Sequence, residues 1–465
     1  MPSPSPVPSR TPSYATVLRT PHAARTFGAA LLGRLSYGMI SLSLMLAVNS
    51  STGSYSVAGA VMALFGATSV FLSPARAALI DRYGPRRVLP PMAGLYALLL
   101  AALAYATWRP GTSAFLLGAL TAAAGASTPP LGPVMRTLWS DLVTDRELLR
   151  RAYSLDGVAE ELLFVSGPLL VGVVVKSAPP AAGVAISAAL VLVGTAALLS
   201  SPVVRGRGAA PSDGPAAGPD VPPAGRRLLG IAGLRHAVLV TAAVGLCLGG
   251  LDLLVVAFTE QRHQGAAVSW VLAALSAGSA VGGLAYGAVS WRASNRVRLP
   301  LLAVGLGAAM AGAGLSPNVY VLAVVAAVAG LFVAPALTTA YLIADESVGA
   351  GSRTQAGAWV NTAVNAGSSV GVAVVGLLVD RMSPAVCFAV AAVPALLCAT
   401  AVARAGVAPG PMGSDSADSG AVDSGPADNG GTARGAVDSG PVNSASVNSG
   451  SADSGGTARG AVSRS

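Results

Sequence analysis

Twelve largely uncharged apolar stretches of about 20 residues recur along this chain, and that is the length a helix needs to cross a hydrocarbon layer of about 30 Å. They lie approximately at Thr26 to Val48, Ser56 to Ile80, Val88 to Trp108, Ser113 to Val134, Ala152 to Val175 and Ala181 to Val204, then Ala237 to Thr259, Ala267 to Ser290, Leu299 to Ser316, Val319 to Ile343, Gln355 to Val379 and Pro384 to Ala405. With 53% of 465 residues hydrophobic and 11% charged, and a mean hydropathy of +0.64, the chain has too little polar surface to stay in water. The expected fold is all-α and membrane-integral, with twelve transmembrane helices. A soluble enzyme is excluded.

The stretches form two sets of six. Residues 1–25, rich in Pro and Ser, read as a cytoplasmic tail, 26–204 as one six-helix bundle, 205–236 as a connecting loop, and 237–405 as a second bundle. Residues 406–465 repeat Gly, Ser, Ala, Asp and Asn, with GGTARGAV at Gly430 and again at Gly455, and hold too few large apolar side chains to build a core, so disorder is expected there. Both termini are placed in the cytoplasm by the basic residues, which collect on that side of a membrane. In this orientation the cytoplasmic segments hold 24 of the 29 Lys and Arg, with Arg109, Lys176, Arg262 and Arg381 outside and Arg34 within a helix. That asymmetry accounts for the net charge of +9 without a nucleic-acid partner. Two six-helix sets joined by a loop suit halves that rock about a central site.

Cys247, Cys387 and Cys398 lie in apolar runs without a CxxC pair, and the three histidines are dispersed, so neither a disulfide framework nor a metal site is indicated. No GxxxxGK[ST] loop occurs, so no nucleotide or other cofactor is expected and energy would come from an ion gradient.

Between the second and third stretches the chain reads Ala77-Ala-Leu-Ile-Asp81-Arg82-Tyr83-Gly84-Pro85-Arg86-Arg87. This resembles the loop signature of the major facilitator superfamily, with Ala77 in place of its first Gly and Pro85 in place of an Arg. The resemblance covers about residues 26 to 405 and implies a cytoplasmic latch made by Asp81, Arg82, Gly84, Arg86 and Arg87, with the Asp near a helix N-terminus of the other half and the Arg residues in ion pairs. A helix dipole stabilises an Asp in that position; a basic loop with a Gly turn is the plainer account of the Arg residues. Gly167, Pro168 and Gly172 resemble the Gly-Pro motif of exporters in this superfamily, although Val171 departs from it, and close helix packing is the competing role. Gly278, Gly282, Gly283 and Gly287 read as packing faces. The Arg that proton-coupled exporters of the superfamily usually carry in the fourth span has no counterpart in Ser113 to Val134, since Arg136 falls past its end, and Arg34 is the substitute candidate.

Charges inside apolar helices are costly and are usually paired or functional. Arg34 and Glu160 each lie eight residues into their spans, about 12 Å from the same end by helical rise, so they can pair. Asp156 lies on the same helix as Glu160. Glu161 is turned by about 100° and is left without an obvious cation, and a carboxylate buried without full compensation suits a carrier that moves protons. A static Arg-Glu pair is the alternative. Asp252 could take a proton or a cationic substrate, or serve as a hydrogen-bonding wall. Asn361, Asn365 and Ser369 recur every four residues beside Trp359 and share a helical face, which either bonds to neighbouring helices or lines a substrate path.

These readings converge on a secondary carrier in a bacterial cytoplasmic membrane, with a small-molecule substrate, protons and the lipid bilayer as partners. Export of small hydrophobic or amphipathic compounds is the expected direction. An importer of a small polar solute and a non-transporting scaffold or sensor are the alternatives.

Overall fold

The computed structural model describes residues 13–206 and 228–398, and within them every regular element is a helix. Residues 1–12 of the N-terminal tail, the middle of the connecting loop, the last part of the twelfth stretch and the whole C-terminal tail lie outside the described residues.

A short helix, Tyr14–Arg19, precedes span 1 at Ala23–Thr52. Span 2 is broken into 2a (Tyr55–Phe71) and 2b (Ser73–Tyr83), span 3 is Pro85–Thr107, and span 4 is broken into 4a (Ala114–Ser127) and 4b (Leu131–Leu142). Spans 5 and 6 are Arg146–Val175 and Pro180–Leu199, the latter followed by the short helix Pro202–Gly206. Spans 7 to 12 are Ala232–Gln261, Ala267–Ala288, Asn295–Ala313, Val319–Ser347, Arg353–Leu378 and Pro384–Leu397. Eleven are long and apolar enough to cross a membrane, and Pro384–Leu397 is shorter within the described residues. Side-chain caps mark several starts: Ser54 accepts from the Val57 N–H, Asp145 from Leu148 and Asn318 from Val321, which satisfies donors that the helix itself leaves open.

Prolines decide where spans 2 and 4 break. Pro74 cannot donate to the carbonyl four residues back, which is Val70, and that carbonyl instead accepts the Thr362 hydroxyl of span 11 at 3.0 Å. Pro129 and Pro133 likewise free the carbonyls of Gly125 and Pro129; the first accepts from Arg76 and the second from the Tyr37 hydroxyl. Each carbonyl that loses its donor four residues on is thus met by a side chain from another turn or another helix, beside a local backbone N–H.

Within the first half spans 1 and 6, 3 and 6, and 2 and 4 pack together, and in the second half spans 7 and 11, 8 and 10, and 9 and 10 do. The halves meet through span 5 against spans 8 and 10, and span 11 against 2b and 4b. Close crossings use missing side chains. A Cβ on Gly167 would strike the backbone of Gly38, and one on Gly38 would strike the Leu163 carbonyl, so spans 1 and 5 touch backbone to backbone. A Cβ on Gly172 would meet nothing within 4 Å, so that part of the motif is not a packing requirement. Gly278 and Gly282 lie against the backbone of span 10, Gly283 lies between Ala334 of span 10 and Val158 of span 5, and Gly287 faces the Tyr14 hydroxyl and Ser154 of span 5.

Candidate functional site

At one end of the bundle the halves are tied together by helix termini. The Thr354 N–H donates to Asp81 Oδ1 at 3.3 Å and the Gln355 N–H to Oδ2 at 2.8 Å. These N–H groups belong to the first turn of span 11, where they have no partner within the helix and carry its positive dipole end. At the opposite kind of terminus, Arg150 and Arg151 donate to the carbonyls of Val289 and Ala288, at 2.6 and 3.2 Å, just where span 8 ends. Arg353 lies 3.3 Å from Asp345 and 3.9 Å from Asp141 and donates to the Ser140 hydroxyl, and the hydroxyls of Thr137 and Thr354 are 3.2 Å apart. Tyr14 reaches from before span 1 to the Leu284 carbonyl at 2.6 Å. Gly84 ends span 2b with φ of +82°, a conformation that favours glycine, and Pro85 then starts span 3. Arg82, Arg86 and Arg87 are exposed; Arg82 sits 5.2 Å from the Tyr83 ring, and none of the three forms an ion pair among the described residues.

Moving inward from that end, four charged side chains of the first half form a closed cluster. Arg34 Nη1 is 2.7 Å from Asp156 Oδ1 and Nη2 is 3.0 Å from Glu160 Oε2. Arg136 Nε is 3.1 Å from Asp156 Oδ2, and its Nη2 also meets Glu160 Oε2. Asp156 is fully buried and the two arginines nearly so, while Glu160 keeps 29% of its surface. Two cations against two anions leave no net charge in a medium that penalises any excess. The cluster corrects two sequence expectations. Span 4 extends through 4b to Leu142, so Arg136 lies within it rather than past its end, and Arg34 shares its carboxylates with Arg136 instead of replacing it. Arg76, inside the stretch Ser56 to Ile80 although its charge is tallied with the cytoplasmic ones, lies in 2b and is 6% exposed.

Tyr341 of span 10 closes the cluster from the other half, its ring centroid 3.8 Å from the Arg136 guanidinium carbon. Glu161 turns away from the cluster and accepts from the Ser279 hydroxyl of span 8 at 3.2 Å. Asp252 on span 7 is exposed, makes no hydrogen bond among the described residues, and is close enough to Glu161 to act on it electrostatically.

Two cavities of about 170 and 190 Å³ lie where the halves meet, and Glu160, Phe164, Asn361 and Asn365 line both. Glu161 and Tyr341 line the first, and Arg34, Tyr37 and Arg76 the second. Trp359 and Ser369 line neither. Asn365 donates to the Asn361 carbonyl at 2.7 Å and Ser369 to the Asn365 carbonyl at 3.0 Å, so the polar stripe bonds along its own helix. Among the described residues, every hydrogen bond, ion pair and ring contact between the halves falls between the Asp81 end and the level of these cavities. Among the described residues these bonds tie the halves together at that end. Tyr341, Ser279 and Thr362 carry no charge, and no sequence signal marks them; Arg136 falls two residues past the end of the apolar stretch Ser113 to Val134.

The chain matches the family model described as Major Facilitator Superfamily over residues 26–265 and 237–435. Among solved structures it is similar to the human organic anion transporter MFSD10, at 19% identity and a TM-score of 0.61 over 84% of this chain and 100% of that one. It is similar to the E. coli fucose:proton symporter at 16% identity and 0.57, covering 82% and 99%, and to a bacterial homologue of the iron transporter ferroportin in its outward-facing state at 15% and 0.65, covering 82% and 98%. At such identities the likeness is one of fold. A search of curated proteins gives no match.

Proposed function

The chain belongs to the major facilitator superfamily, a family of secondary transporters that work by alternating access, and from that premise we propose that it exchanges protons for small hydrophobic or amphipathic compounds, expelling them across a bacterial cytoplasmic membrane. The observation that carries this reading is the pair of cavities at the junction of the halves, with two carboxylates of different surroundings on adjacent residues of span 5.

The excess of Lys and Arg near Asp81 favours the cytoplasm for that end, which makes this conformation outward-facing. Segments 26–204 and 237–405 are then the rocking units, with 205–236 as their link. Glu160 is committed to two guanidinium groups and serves to hold spans 1, 4 and 5 in register. Among the described residues Glu161 has no cation within ion-pair distance, feels the charge of Asp252, and is bonded to the Ser279 hydroxyl of the opposite half. A proton arriving from outside neutralises Glu161 as substrate leaves. The halves then rock, the Asp81 latch opens, and the proton passes to the cytoplasm while new substrate enters. Asn361 and Asn365 supply hydrogen bonds to the bound compound, and Phe164 an apolar face.

The test is substrate-induced proton movement in liposomes holding the purified protein and an internal pH-sensitive dye, screened with lipophilic cations, amphipathic acids, sugars and amino acids. Proton movement that Glu161→Gln abolishes supports the reading; transport of a compound without any proton movement overturns the coupling.

A further inference from the structure

We propose that the cavity between spans 1, 2, 4, 5 and 11 seats an acidic group of the transported compound, a carboxylate held by Arg76 and the N-terminal ends of half-helices 2b and 4b. This deepens the export reading and rests on it.

Arg76 is 6% exposed and lines the cavity. Among the described residues no carboxylate pairs with it. Its Nη1 and Nη2 donate to the carbonyls of Gly125 and Ser69, which lie at the C-terminal ends of 4a and 2a, and its Nε has no acceptor. The guanidinium thus offsets the negative ends of the two broken helices. At their positive ends Leu131 gives its N–H to the Pro129 carbonyl at 2.9 Å and Pro74 and Pro133 have none, which leaves the first-turn N–H groups of Ser73, Ala75 and Gly132 to face outward. Half-helix 2b has 11 residues and 4b has 12, and neither has a side-chain cap at its start. Ser73 at the start of 2b and Leu131 and Gly132 at the start of 4b all line the cavity. Open N–H groups and an aligned dipole at a half-helix N-terminus favour an anion, most strongly where water is scarce.

The charges nearby leave this preference in place. Glu160 is the one carboxylate among the residues lining the cavity, and it is shared by Arg34 and Arg136. With Asp156 these four sum to zero, so Arg76 supplies a net positive charge. A clamp on the broken helices alone would need the same two carbonyl bonds but not the uncapped helix starts or the open Nε. Phe164 and Ile40 give the same cavity apolar surface, which suits an amphipathic acid.

The probes are 2-naphthoate and its uncharged counterpart 2-naphthamide, with affinity measured by calorimetry on the purified full chain in detergent. The naphthoate is expected to bind at least about ten-fold more tightly than the amide, the scale of one charge-assisted hydrogen bond. Ser73→Asp puts a tethered carboxylate at the start of 2b, where it favours the helix; it is expected to weaken naphthoate binding by about ten-fold or more without lowering the melting temperature. Arg76→Gln is expected to lose the preference and Arg76→Lys to keep part of it. Equal affinities for the two probes, no binding of either, or unaltered naphthoate binding in Ser73→Asp overturns the proposal. Proton movement driven by neutral or cationic compounds with no preference for the acid leaves the transport reading standing without this site, whereas acid binding without proton movement does the reverse.

Discussion

Tyr341 and Arg136 lie on opposite halves of the molecule, yet the ring of one covers the guanidinium of the other at 3.8 Å. Arg136 is held from behind by Asp156 and Glu160, and its Nη1 has no hydrogen-bond acceptor, so its remaining face is met by the electron-rich ring. The cluster is internally neutral, but its outermost cation is finished only while the halves are together at the Asp81 end.

Tyr341→Leu removes a contact worth about 0.5 to 2 kcal/mol, and the equilibrium is expected to shift away from the closed Asp81 end by roughly two-fold to thirty-fold. Spin labels at Arg87 and Arg292, exposed on the two halves, read this as a longer distance population. Tyr341→Phe should stay near the parent distribution. No change in the leucine variant would show that the ring does not hold the halves.

The Asp156 carboxylate is fully buried between two arginines. Asp156→Ala leaves excess positive charge in a dry interior and is expected to cost about 3 to 5 kcal/mol of stability. Replacing Arg34 and Asp156 together by Leu should cost less than the sum of the single changes, because no lone charge remains. Thermal unfolding of the purified proteins checks both statements; a single variant within about 1 kcal/mol of the parent would show that water reaches the cluster.

Asp81 accepts two N–H groups of span 11. Asp81→Ala exposes both and removes the charge facing a helix N-terminus, a loss of about 1 to 3 kcal/mol. The same label pair should report opening, and a cysteine placed at Thr137, buried at that end, should react faster with a water-soluble maleimide. An unchanged rate would mean that the Arg353 contacts close the end without Asp81.

The membrane character and the number of spans were legible because a bilayer demands long apolar runs whatever their partners. The turn between spans 2 and 3 is legible because Gly84 takes the positive φ that glycine favours. The cluster was only half legible. Arg34 and Glu160 stand out as charges in apolar runs, whereas Arg136 lies just past the run Ser113 to Val134 and Arg76, near the end of the run Ser56 to Ile80, is tallied with the cytoplasmic charges. Asp81 itself has a partner on span 11, 273 residues away, and the backbone N–H groups that meet it leave no mark in a sequence. Nor does the ring of Tyr341, one aromatic among many in an apolar run. Of the Asn361, Asn365 and Ser369 stripe, the first two line the cavities and Ser369 lines neither, which a four-residue spacing alone does not distinguish.

The most direct measurement is dye-reported proton movement in liposomes containing the full chain and its Glu161→Gln and Glu160→Gln variants, with substrate binding measured on the same preparations. Substrate should move protons through the parent protein; Glu161→Gln should bind substrate but move none, while Glu160→Gln should lose stability as well as flux. Proton movement at the parent rate in Glu161→Gln would contradict the account, because the carboxylate that bridges the halves to Ser279 would then play no part in coupling.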